Sequence, residues 1–159
     1  IWKKVSERHP DWILDIFGDG EERPLIEQCI IEAQLDDKVV LHGNTQEVAK
    51  AYTSGSIYLM TSRMEGFPLV LIEAMACGVP VISSNLPFNY DVLNTNNSLL
   101  VDPNNIEEIV AAIKKLYNDR LLQKQLSTAA LESVDSLTLD KRVDRIIAFM
   151  NKMIGNDNN

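Results

Sequence analysis

Between residues 12 and 101 the chain repeats one pattern. A short, mostly apolar run ends at Gly, Asn, Pro or a small polar residue, and a segment with helical periodicity follows. The runs are Trp12–Phe17, Lys38–His42, Ile57–Met60, Val79–Ser83 and Ser98–Val101. Helical segments over Glu21–Leu35, Thr45–Tyr52 and Leu69–Cys77 separate them, Thr45 being the expected N-cap of the second, and Pro87 opens a short helix. Strands that alternate with helices call for a parallel sheet, because parallel neighbours need a crossover connection. The expected fold class is therefore α/β, a doubly wound parallel sheet with helices on both faces, and Trp12–Phe17 is read as one of its buried strands. Residues 1–9 read as the end of a helix stopped before Pro10. Ile106–Tyr117, Leu121–Ser133 and Thr138–Ile154 are helical by apolar periodicity. One domain over residues 1–154 and a disordered tail over 155–159 are expected.

Such a sheet binds ligands at the carboxyl ends of its strands. Four loops fall there: Gly18–Gly20, Gly43–Thr45, Thr61–Phe67 and Ser83–Pro87. A net charge of −8 argues against a nucleic-acid partner, which calls for a basic face. It leaves room for a phosphate ligand, since backbone amides at a helix start bind anions on an acidic protein. Cys29 and Cys77 have neither metal spacing nor a disulfide-rich context, which points to a reduced, cytoplasmic setting. The chain opens at Ile1 inside an amphipathic helix without an initiator Met, so a piece of a longer protein is expected.

The third of these loops leads into the segment with the most chemistry. Pro68 opens a helix that is apolar at almost every position until Gly78 stops it, which is ordinary helix punctuation. An all-apolar helix should be buried, and within it stands Glu73. A buried glutamate needs a protein partner, or it faces a cleft and awaits a polar ligand. Glu65 lies in the turn before the helix, offset from Glu73 by roughly a quarter turn, so both can look toward one crevice. Gly66 lets a ligand approach the backbone, and the free amides of Phe67, Leu69 and Val70 are placed to hold phosphate or hydroxyl oxygens.

Other candidates carry less. Gly18-Asp19-Gly20 lacks the full G-x-G-x-x-G spacing of a nicotinamide site. His9 and His42 have no partners at ligand spacing, so no metal is expected and His42 reads as a strand-end residue satisfied locally. Cys77 reads as a small core residue, and Glu107-Glu108 as solvated surface.

Glu65-Gly66-Phe67 followed by Leu71-Ile72-Glu73-Ala74-Met75-Ala76-Cys77-Gly78-Val79-Pro80-Val81-Ile82 resembles the E-x7-E signature of retaining GT-B glycosyltransferases, group 1 (family 4). Phe17-Gly18-Asp19-Gly20-Glu21, Val39-Val40-Leu41-His42-Gly43 and Leu99-Leu100-Val101-Asp102-Pro103 resemble, in order, that family's flanking strand ends. The resemblance implies the C-terminal, Rossmann-like, nucleotide-sugar-binding domain of such an enzyme, lacking its first strand. By position, Glu73 would bind both ribose hydroxyls and Glu65 would face the donor sugar as the catalytic-site carboxylate. The amide of Phe67, beside Gly66, would bind a sugar hydroxyl, and those of Leu69 and Val70 the diphosphate. Gly18 would line the diphosphate side, and main-chain groups around Asn44 and Thr45 would meet the base. The donor would be a UDP- or GDP-sugar, with no cofactor and no metal. The acceptor, a glycan or glycolipid, would be bound mainly by an N-terminal domain absent here. The implied setting is cytoplasmic, with room for peripheral association of the full enzyme at the inner face of the cell membrane.

Two departures stand out. Pro68 occupies a position where many members carry glycine, which removes one backbone donor to the sugar. The family's diphosphate-binding Arg and Lys follow its first strand, expected upstream of Ile1, so the fragment alone is expected to be inactive. Two other readings compete with hexosyl transfer: a nucleotide-sugar 2-epimerase on the same fold, and a non-catalytic interaction domain. An internal ion pair on Glu73 would favour the last. Finally, Val143, Ile146, Ile147 and Met150 form an apolar stripe expected to pack on the domain itself or on a neighbour.

Overall fold

A computed structural model of the chain describes residues 1–64, 69–135, 137, 140, 141, 143 and 147. Its elements run α1 (Trp2–Ser6), β1 (Leu14–Phe17), α2 (Arg23–Glu32), β2 (Val39–Gly43), α3 (Val48–Ser54) and β3 (Tyr58–Met60). They continue with α4 (Leu69–Ala76), β4 (Val81–Ser84), a 3-10 turn at Pro87–Asp91, β5 (Leu99–Val101), α5 (Ile106–Asn118) and α6 (Arg120–Asp135). Among the described residues the strand ladders are parallel: β1 with β2, and β3 with β4 with β5. The expected α/β class and the order of its elements hold.

Two cores lie on opposite sides of β4, whose four residues are all buried. Successive strand side chains alternate faces. Accordingly Val81 joins Leu71, Met75 and Leu93 beneath α4, while Ile82 joins Val5, Ile109 and Leu116 beneath α5. This is the three-layer arrangement, with a strand covered on both faces.

The other half of the sheet is thinly covered. Among the described residues no ladder joins β1 to β3, so each keeps an unpaired edge. In the doubly wound strand order 3-2-1-4-5-6, with these five strands as 2 to 6, the break falls where strand 1 belongs. One consequence corrects the sequence reading. Ile13 and Phe17 are exposed rather than buried, because no described element covers that face of β1. α2 likewise buries no residue, and Leu25 and Ile31 stand in solvent.

Helix ends follow local chemistry. Gly78, at φ +68°, ends α4 in the left-handed conformation; its amide donates to Met75 O at 2.9 Å and that of Val79 to Ala74 O at 3.2 Å. This is the paired arrangement that a C-terminal glycine allows. At the start of α5 the Asn105 side chain accepts from the Glu108 amide at 3.1 Å. Asn105→Ala should cost about 1 kcal/mol, read as a lower urea midpoint at unchanged slope; an unmoved midpoint would mean the cap contributes nothing.

Thr45, in contrast, is not an N-cap. α3 starts three residues later with Glu47 in the capping position and no side-chain cap bond, while Thr45 Oγ1 accepts from the Glu47 amide at 3.0 Å. The hydroxyl closes a local turn instead. Past α6, Asp140, Lys141, Val143 and Ile147 are helical and exposed. Ile146, Met150 and the tail over 155–159 lie outside the described residues.

Candidate functional site

Three strand ends carry the residues singled out above. At the end of β1, Gly18 has φ +123°, a left-handed conformation that favours glycine, and a side chain there would meet only open space. Its amide donates to Gly43 O at 2.8 Å, fastening the β1 turn to the β2 turn. Gly43, at φ +71°, turns the chain into Asn44 and Thr45, both exposed. Gly18, Asn44 and Thr45 are thereby brought to one edge.

Arg23, which sequence reasoning passed over, ties this edge together. Its Nε lies 2.8 Å from Glu27 Oε1 and its Nη1 3.8 Å from Asp19 Oδ2. Nη2 donates to Leu41 O at 3.5 Å, at the outer limit of a hydrogen bond. With two carboxylates beside it this cation ties the Asp19 turn and α2 to β2. His42 is satisfied locally, as expected: its Nε2 lies 2.6 Å from Asp15 Oδ1, and Phe17 stacks on its ring at 4.4 Å.

The third strand end, after β3, leads to α4. Arg63 and Met64 are exposed there, while Glu65, Gly66 and Phe67 lie outside the described residues, as does Pro68. Leu69 and Val70 are the first two helical positions of α4, and both are exposed. The first amides of a helix have no partner within it and carry the positive end of its dipole.

Glu73 sits differently from expectation. α4 buries only Leu71, Ala74 and Met75, a stripe at i, i+3 and i+4, and Glu73 is on the open side. The premise of a buried glutamate is thus corrected: an apolar helix at the rim of a thinly covered domain covers one face only. Glu73 has an internal partner nonetheless. The Tyr52 hydroxyl, from α3, donates to its Oε2 at 3.0 Å. Among the described residues Glu73 forms no ion pair, and Oε1 accepts no bond. Burial pushes the Tyr52 phenol well above its usual range, with Tyr58 next and the Glu73 bond adding to it. The phenol therefore stays protonated, a hydrogen-bond donor, throughout the physiological range.

Cys77 is half-buried rather than in the core, and Glu107 pairs with Lys4 across to α1. That pairing lowers the Glu107 carboxyl below its usual range. A groove of about 420 Å³ between α1 and α5 places Lys4, Arg8 and Lys114 against Glu7 and Glu107, and shares no residue with the strand-end turns. Among the described residues no cluster of His, Cys, Asp and Glu has the arrangement of a metal site, and no helix is long and apolar enough to cross a membrane.

Comparison with known proteins matches residues 1–133 to the family described as glycosyl transferases group 1. An uncharacterized glycosyltransferase of Haemophilus influenzae is 33% identical over 146 residues, spanning 91% of this chain and 41% of that protein. The poly(glycerol-phosphate) alpha-glucosyltransferase of Bacillus subtilis is 28% identical over 152 residues, 94% of this chain and 23% of its own length. A variant of S. aureus TarM, crystallised with fondaparinux, alpha-GlcNAc-glycerol and UDP, superposes with a TM-score of 0.79 at 25% identity, covering 89% of this chain and 30% of that one. The chain thus spans less than half the length of these relatives. It belongs to the group 1 glycosyltransferase family and has the Rossmann-like fold of the C-terminal domain of a GT-B enzyme.

Proposed function

We propose that this chain is the donor-binding half of a retaining hexosyltransferase, which moves a hexose from a UDP- or GDP-sugar to a hydroxyl of a glycan or glycolipid. The observation that carries the reading is Glu73: an exposed carboxylate on α4 with one oxygen held by Tyr52 and the other without a bond among the described residues. A carboxylate with free acceptor sites suits a pair of ribose hydroxyls. The amides of Leu69 and Val70, at the positive end of the same helix, suit a diphosphate. Gly18 offers an approach without a side chain, and the backbone of Asn44 and Thr45 lies beside it for the base.

On this reading Glu65 faces the donor sugar, next to the Gly66 and Phe67 amides. Backbone donors and fixed positive charge stabilise the diphosphate leaving group, so the transfer proceeds without a metal or other cofactor. The acceptor binds an N-terminal domain, and the enzyme works at the cytoplasmic side, peripherally on the membrane where the acceptor is a lipid. That the TarM variant was crystallised with UDP supports a uridine donor among the alternatives.

The test is an assay of the two-domain enzyme with UDP- and GDP-hexoses and a hydroxyl acceptor, in excess EDTA, with the product's anomeric configuration read by NMR. Transfer that survives EDTA and retains configuration is expected. An inverted product, or loss of activity with EDTA, would overturn the mechanism. Epimerised donor formed without acceptor would overturn transfer itself.

A further inference from the structure

α3 and α4 come from either side of β3 and lie against each other, which brings Tyr52 to Glu73 although 21 residues separate them. The phenol ring is half-buried, and its edge meets Tyr58 of β3 at 5.3 Å and 66°. A tyrosine has only two side-chain torsions, so packing against β3 fixes where its hydroxyl sits. Glutamate is different. An exposed glutamate samples many rotamers, and holding it still on binding costs the rotamer freedom such a side chain carries. The Tyr52 bond removes part of that freedom before any ligand arrives. It does so cheaply for recognition, because an ionised carboxylate offers about four acceptor sites and the phenol occupies one.

We propose that Tyr52 is a positioning residue: its hydroxyl holds Glu73 in the rotamer that presents the remaining carboxylate acceptor sites to the two hydroxyls of a nucleotide ribose. This rests on the donor-site reading above, and adds to it a residue that never touches the ligand. An opposite role would be a placeholder, in which the hydroxyl mimics a ribose hydroxyl and must leave. Geometry favours positioning, since among the described residues Oε1 accepts no bond while the bond to Oε2 is made.

The experiment titrates the chain with UDP, GDP and 2′,3′-dideoxy-UDP by NMR chemical shift, for the wild type and for Tyr52→Phe, Glu73→Ala and the double variant. Tyr52→Phe keeps the ring against Tyr58 and deletes only the hydroxyl. It should weaken binding of the ribonucleotide roughly 3- to 10-fold. Affinity for the dideoxy nucleotide should not change, nor should the substitution matter once Glu73 is alanine. Equal losses for ribo- and dideoxynucleotide would reduce Tyr52 to a packing residue and overturn the proposal. Tighter ribonucleotide binding by Tyr52→Phe would also overturn it, in favour of the placeholder. If Glu73→Ala leaves ribonucleotide affinity unchanged, the ribose reading itself falls. If Glu73→Ala weakens binding and Tyr52→Phe does not, only the positioning role is lost.

Discussion

Glu73→Ala is expected to weaken UDP or GDP binding by about 1–3 kcal/mol, the range for leaving hydrogen-bonding groups without their partner. That is roughly 5- to 150-fold in dissociation constant, at 1.4 kcal/mol for each factor of ten. On the proposed reading the two ribose hydroxyls lose their acceptor, and no other described side chain on α4 can replace it, since the rest of the helix is apolar. Stability should hardly respond. Glu73 is exposed, alanine is the best helix former, and surface substitutions of this kind fall within about 0.5 kcal/mol. A calorimetric titration beside a thermal melt separates the two. Unchanged affinity would remove the ribose role, and a large fall in melting temperature would mean that the Tyr52 bond matters more to the fold than to the ligand.

The contrast between what the sequence discloses and what it hides follows from where each signal resides. Strand and helix order is a local signal, carried by apolar period and by Gly and Pro, and it holds from β1 to α6. Burial is not local. The run around β1 is as apolar as that of β4, yet Val81 and Ile82 are sealed between two layers while Ile13 and Phe17 face solvent. The difference is made by tertiary partners, the adjacent α4 on one face of β4 and the more distant α5 on the other, and among the described residues none on the open face of β1. The same applies to Glu73. Its place in an apolar helix suggests burial, but only tertiary packing decides which face of α4 turns inward. Thr45 misled through competing chemistry, because a threonine closes a turn as readily as it caps a helix. Tyr52 left no signal, and Arg23 only a local one, the acidic residues four positions to either side at Asp19 and Glu27. Nothing within a single sequence reports that Tyr52 meets Glu73, or that Arg23 reaches from the Asp19 turn to Leu41 of β2.

α4 itself provides the sharpest test of this division, with Leu71 as the opposite case to Glu73. Leu71→Ala should lower stability by about 2–5 kcal/mol, the cost of removing a buried leucine and leaving a cavity. At about 2–4 °C per kcal/mol for a domain of this size, the melting temperature should fall by roughly 4–20 °C. Leu71 is 0% exposed and packs with Met75, Val81, Leu93 and Ala130, so elements from β4 to α6 lose contacts together. Against a typical stability of about 5–15 kcal/mol, the upper end of that range is enough to unfold a substantial fraction of the protein. Leu69→Ala is the control two residues away. The same atoms are removed from a side chain that is 61% exposed, so the expected change is within about 0.5 kcal/mol. Equal losses from the two would mean that α4 is covered on both faces in solution, and that Glu73 is the buried glutamate its neighbours in sequence suggest. A large loss from Leu71 alone leaves the outer face of α4 free of any structural duty, which is what a helix must offer if its glutamate and its first amides are to serve a ligand.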